Sequence, residues 1–288
     1  MDSKINYINT AKAFAIVAVV LGHIASPFGH FIFAWHMPFF FFVAGIFINP
    51  KLSFKEFVVK NASRLGYPYL VFGVLGIAAE LTKRVLLHRP LGDLESYLTG
   101  LLFWMDYSHL IGYHHILWFL PALILSRIFI FSSLKYIQLN RYAIIAVCLL
   151  AALGYYLPMQ LPFALNQALI ASPWIWIGYL CFNQERLNIP RYKYQYWVAS
   201  GLVFSIFAFT YIPTLNLATN ELPFVMQNYL FASIFSIFLI ATFSLLPILN
   251  NSQLLSEWGQ NTMLIMIAHP YTNNVAYLIS ERWLFGLW

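Results

Sequence analysis

Lys12 and His23 stand eleven residues apart in a stretch that is otherwise apolar from Ala11 to Leu21. At 3.6 residues per turn that spacing is about three turns, so on one helix the two side chains share a face about 16 Å apart along the axis. The lysine is a fixed positive charge that suits an anion, and the imidazole is a base able to take a proton from an alcohol near neutral pH. The bland alternative has Lys12 snorkelling to inner headgroups and His23 resting at an interface.

Other ionisable residues fall in comparable company. His36 lies in the next apolar run, where Pro38 cannot donate to the carbonyl of Ala34 and leaves a backbone acceptor nearby. Glu80 ends a third run, and His114 and His115 open a fourth. A carboxylate beside an imidazole fixes its tautomer, which makes Glu80 a candidate orienter of a histidine base. Glu80 paired with Lys83 or Arg84 at helical spacing fits equally well. Lys51, Lys55, Lys60 and Arg64 crowd one loop, either as topology determinants or as a cradle for phosphates. Of the later polar residues, Arg127, Asn166, Gln167, Gln227, Asn228, Asn273 and Asn274 read as glue between helices, and His269, followed by Pro270, is kept as a site candidate. The eight histidines include no H-E-x-x-H and have few carboxylates near them, so no metal is expected.

The elements that must hold these groups follow from composition. Hydrophobic residues make up 61% and charged residues 9% of the 288, far below the roughly one quarter charged in a soluble domain. That excludes a soluble core and calls for a lipid bilayer. Apolar runs at 8–25, 31–48, 65–82, 115–131, 142–158, 164–182, 196–212, 224–247 and 261–280 give nine expected spans in an all-α, polytopic membrane bundle of about nine to ten transmembrane helices. The run 97–105 is too short to cross, and 283–288 is a stub that reads as a short or truncated end. No repeat or linker divides residues 1–288, so one transmembrane domain is expected. Cys148 and Cys181 sit inside apolar runs as small hydrophobes.

Charge sets the orientation. With the N-terminus in the cytoplasm, the inner segments hold Lys4, Lys51, Lys55, Lys60, Arg64, Lys135, Arg141, Arg186, Arg191 and Lys193, against Lys83, Arg84, Arg89 and Arg282 outside. The net charge of +6 is therefore read as topology in an inner (plasma) membrane rather than as a nucleic-acid surface.

These residues resemble a known family. Lys12-Ala-Phe-Ala-Ile-Val-Ala-Val-Val-Leu-Gly-His23 is similar to the basic-residue, ten-residue gap, histidine signature of membrane acyltransferase family 3, in its fucose 4-O-acetylase-like branch. Phe33-Ala-Trp-His36-Met-Pro38-Phe-Phe-Phe-Phe-Val-Ala-Gly45, Ile116-Leu-Trp118-Phe-Leu-Pro121-Ala-Leu and Ala268-His269-Pro270 resemble later motifs of that branch in the same order. The resemblance implies an O-acyltransferase taking acetyl from acetyl-CoA to a carbohydrate or glycolipid acceptor. It makes His23 the catalytic histidine. Joined to the reading of the residues above, the expectation is a base at His23 with Glu80 and His36 beside it, Lys12, Arg64 and Lys60 at the donor, and His114, His115, Trp118 and His269 at the substrate. The chain departs from the family in carrying Lys12 where many members have arginine, and Asn61 with Arg64 in place of a two-arginine motif. Direct transfer and a transient acyl-histidine both fit. The rival reading is a transporter or glycolipid flippase using Lys12, His23 and Glu80 as a proton or substrate path, although no pair of broken inverted repeats stands out.

The expected topology is open to test with single cysteines at Ser53 and Ser96. An impermeant thiol reagent added outside intact cells should label the second and spare the first; labelling of both would overturn the two-sided arrangement.

Overall fold

The computed structural model describes residues 3–24, 27–137, 141–182, 191–211 and 214–284. Arg186 and the last four residues of the expected stub lie outside them. The helices run α1 (Ser3–Gly22), α2 (Gly29–Phe33), α3 (His36–Ile46), α4 (Phe54–Asn61), α5 (Tyr67–Leu86), α6 (Leu94–Thr99), α7 (Phe119–Ser132), α8 (Arg141–Tyr156), α9 (Leu165–Phe182), α10 (Arg191–Tyr211), α11 (Val225–Leu245), α12 (Pro247–Asn250), α13 (Gln253–Gln260) and α14 (Thr262–Leu284). Among the described residues there is no strand, only an isolated bridge between Asn216 and Glu221.

Among the described residues the nine long apolar runs read from the sequence lie mainly on helix. Among the described residues four segments, Gly29–Ile46, Phe54–Leu86, His114–Ile137 and Val225–Leu245, are long and apolar enough to cross a membrane, against the nine spans expected from sequence. The 33 residues of Phe54–Leu86 would reach about 50 Å, well beyond a hydrocarbon core of about 30 Å. The sequence divides the work. Ser53 opens α4 with a reciprocal cap to Glu56, and α4 buries Phe57 and Asn61 while leaving Lys55 and Lys60 exposed. A π-helical turn, Ala62–Gly66, follows, and α5 then exposes Leu70, Val74 and Leu75 as a lipid-facing stripe would.

The second expected span is broken. Backbone turns at Ala34 and Trp35 separate α2 from α3, and Pro38 falls in the first turn of α3, where its missing N–H has no intrahelical partner to lose. The expectation of a mid-helix proline is corrected to that of a helix start.

The chain divides into two compact units, Met1–Phe39 with Asn188–Leu215 and Pro223–Trp288, and Phe40–Leu187 with Asn216–Leu222. Within the first, Trp35 is buried among rings, with Phe235 at 4.7 Å and Phe14 at 6.4 Å between centroids, and Gly259 of α13 lies against the Asn9 carbonyl of α1. Within the second, α3 and α9 meet through reciprocal glycines: a Cβ on Gly45 would strike the carbonyl of Ile175, and one on Gly178 the carbonyl of Phe42. Small residues allow such backbone approach, which in a bilayer replaces the missing hydrophobic drive between helices. Asn166 links α9 to the Gly154 and Met159 carbonyls at 3.4 and 3.2 Å, and Gln167 reaches Ala218 at 3.0 Å, so both amides serve as glue.

Because its Cβ would meet backbone rather than a flexible side chain, Gly178→Val should cost about 3 kcal/mol or more and lower the melting temperature in detergent by several degrees. Gly66→Ala, with nothing within 4 Å, should leave it unchanged or slightly raised.

Candidate active site

Three of the histidines singled out from sequence come together in the first unit. The His23 ring centroid lies 4.8 Å from that of His269 and 6.1 Å from that of His36, with Phe33 against both His23 at 5.3 Å and His36 at 5.0 Å. His23 is exposed, whereas His36 and His269 are buried.

One local device orients all three. His23 Nδ1 donates to Val19 O at 2.8 Å, His36 Nδ1 to Ile32 O at 2.9 Å and His269 Nδ1 to Met266 O at 2.7 Å. A carbonyl only accepts, so each Nδ1 carries the hydrogen, and in the neutral ring Nε2 keeps its lone pair. Each acceptor is a carbonyl at a helix irregularity. Val19 belongs to the last turn of α1, Ile32 precedes the break between α2 and α3, and Met266 is the carbonyl that Pro270, inside α14, cannot bond. Fixing Nδ1–H leaves Nε2 as the accepting nitrogen of the exposed His23.

Glu80, His114, His115 and Trp118 belong to the second unit. Glu80 is buried, with one oxygen 2.9 Å from Arg84 Nε and the other 2.5 Å from Lys83 Nζ. The ion-pair reading of Glu80 thus describes its contacts. His114 is buried with both ring nitrogens against carbonyls, Nδ1 at 2.5 Å from Ile111 O and Nε2 at 2.6 Å from Gly73 O, and so ties the 3-10 segment Gly112–Trp118 to α5. His115 Nδ1 donates to Tyr107 O at 3.0 Å with the Tyr107 ring beside it, and Trp118 is buried where the 3-10 segment joins α7.

The second unit also holds a cavity of about 410 Å³ whose lining includes Lys60, Asn61, Arg64, Phe57, Asn49 and Arg127. Arg64 comes from the π-helical turn, which turns it out of the register of α4. Asn61, in the place of the first arginine of the family motif, spends its amide on Phe57 O at 2.7 Å. Arg127 was read from sequence as glue, and in part it is: Nη1 donates to Ala44 O at 2.7 Å and the guanidinium lies 5.7 Å from the Phe57 ring centroid. Its Nε, however, is buried and has no hydrogen-bond partner among the described residues. Lys60, Arg64 and Arg127, with no carboxylate among the lining residues, give the cavity a positively charged wall. The signal for Arg127 was present in the sequence, an arginine in the middle of an apolar run.

Lys12 is half-buried on α1, and among the described residues its ammonium pairs with no carboxylate. No group of three or more His, Cys, Asp or Glu among the described residues is placed to hold a metal ion. The tautomer-setting carbonyls of Val19, Ile32 and Met266 escaped the sequence reading, though Pro270 beside His269 marked one of them.

No curated protein and no solved structure matches the chain. A family model described as an acyltransferase domain matches residues 5–288. With that match over nearly its whole length, and with helices able to cross a membrane, the chain belongs to acyltransferase family 3, whose members are membrane-bound acyltransferases.

Proposed function

We propose that this protein is an O-acetyltransferase of the inner (plasma) membrane, N-terminus in the cytoplasm, that moves acetyl from acetyl-CoA to a hydroxyl of a cell-surface or exported carbohydrate. The observation that carries the reading is the exposed His23 with its Nδ1 bonded to Val19 O, which leaves Nε2 as a base aimed away from its own helix. In this reading Nε2 takes the proton of the acceptor hydroxyl as the oxygen attacks the thioester carbon. The carbon–sulfur bond then breaks, and the thiolate recovers the proton. Val19 O performs the orienting task for which Glu80 was a candidate, and it steadies the imidazolium as any acceptor at Nδ1 does. The transmembrane domain is taken as single with nine to ten spans, in the fucose 4-O-acetylase-like branch.

The donor is an anion, and two features of the chain match it. The cavity lined by Lys60, Arg64 and Arg127 suits a phosphate, with Arg127 held in place by Ala44 O. Lys12 offers a positive charge on the same face of α1 as His23 and about three turns away, too far for both to meet the same atom.

Purified protein, radiolabelled acetyl-CoA and a glycan extract test the activity itself: label on carbohydrate is expected, and unmodified glycan with movement of substrate across vesicles would favour a transporter. His23→Ala should lower transfer by about 10²- to 10⁴-fold at matched protein level. Binding of a non-hydrolysable acetyl-CoA analogue should survive that change but weaken about tenfold or more in Lys12→Met, with partial retention in Lys12→Arg. Analogue bound by Lys12→Met as tightly as by wild type would make Lys12 a snorkelling residue. Arg127→Gln should likewise raise the KM for donor while kcat stays within a few-fold; an unchanged KM would remove the cavity from donor binding.

A further inference from the structure

We infer that His269 is a positioning residue for the reaction, the acceptor that holds the proton taken up by His23. The inference rests on His23 being the base. In the resting state both rings spend Nδ1–H on backbone carbonyls, at 2.8 Å for His23 and 2.7 Å for His269, so both Nε2 atoms are acceptors and neither donates to the other. The rings nonetheless touch, with centroids 4.8 Å apart and planes inclined by 62°. Among the described residues His269 Nε2 has no hydrogen-bond partner, and it is buried away from solvent. A buried acceptor without a donor is uncommon in a folded protein, because the group has lost its water without recovering a bond.

The missing donor is supplied by the chemistry. When His23 accepts a proton it becomes an imidazolium, and its Nε2 turns from acceptor to donor. The substrate oxygen that gave up the proton bonds to the acyl carbon and ceases to be a strong acceptor. His269 Nε2 is then an acceptor in the neighbouring ring, already stripped of water. The Nε2–H of His23 turns to it, no bond to carbon is made or broken at either ring, and the proton stays with the pair until the carbon–sulfur bond breaks and the thiolate takes it. An interaction absent before proton transfer and present after it lowers the barrier rather than tightening substrate binding. Pro270 serves the same end. By leaving the Met266 carbonyl free, it holds His269 in the tautomer that accepts at Nε2.

His269→Leu removes the acceptor at similar volume, and His269→Gln restores an acceptor oxygen near the position of Nε2. With the full chain purified in detergent, [¹⁴C]acetyl-CoA as donor and a glycan extract as acceptor, Leu should lower kcat about 10²-fold with the KM for acetyl-CoA unchanged, and Gln should stay within about tenfold of wild type. Melting temperatures of the two variants should agree within a few degrees. Equal loss in Leu and Gln would make the ring a packing element and overturn the inference. Wild-type kcat in Leu, alongside an inactive His23→Ala, would overturn it while sparing His23 as base. Activity in His23→Ala, or no transfer by wild type, would instead remove the reading on which the inference stands.

Discussion

A backbone carbonyl at a helix end, a break or a proline is the constraint that orients the histidines of the first unit. Val19 O and Ile32 O also accept the backbone N–H of His23 and Trp35, whereas Met266 O loses its helix donor to Pro270, and in a bilayer such an acceptor must be met by a neighbouring donor. Each of the three carbonyls receives an imidazole Nδ1–H: from His23 at the end of α1, from His36 after the break between α2 and α3, and from His269 ahead of the proline in α14. That bond decides which nitrogen of a neutral ring keeps its lone pair. The tautomer of each ring is thereby set without a carboxylate, and the cost of a charged partner in an apolar surrounding is avoided.

That economy explains why Glu80 and His23 read so differently in sequence and in three dimensions. A carboxylate next to a histidine is the commoner way to orient a base, and from sequence Glu80 was open to that role as well as to pairing with Lys83 or Arg84. The structure gives its two oxygens to those cations, three and four residues on, which is what helical spacing favours once the segment is known to be continuous. His114 likewise has the residue type of a catalytic group and the environment of a bracket, with a carbonyl against each ring nitrogen. Residue type named the candidates, and their partners sorted them.

The helices themselves were legible because apolar length is read directly from composition, and among the described residues the nine long runs lie mainly on helix. Their irregularities were less so. The break at Ala34 and Trp35 sits inside an unbroken apolar stretch, and Pro38 marked it while leaving open whether the helix bends there or begins there. The π-helical turn that presents Arg64 has no composition of its own, since it is a change of hydrogen-bond register between two ordinary helices. Glycines at Gly45 and Gly178 carry no periodic signal either, because what they permit is a contact with a helix more than a hundred residues away in sequence.

Arg127 shows how a packing role and a binding role coexist in one side chain. A guanidinium has five N–H donors in a rigid plane, more than one carbonyl can take. Ala44 O fixes one edge and the Phe57 ring lies against the group, which removes much of its rotamer freedom before any ligand arrives. The donor left over, Nε, is buried beside a cavity that also receives Lys60 and Arg64, and the charges of Arg64 and Arg127 act on each other. Like charges gathered around a space relax when an anion enters it, so the repulsion that weakens the empty cavity becomes a preference for the filled one. The bond to Ala44 O is the interhelical role read from the sequence, and Nε is the donor which that role does not use.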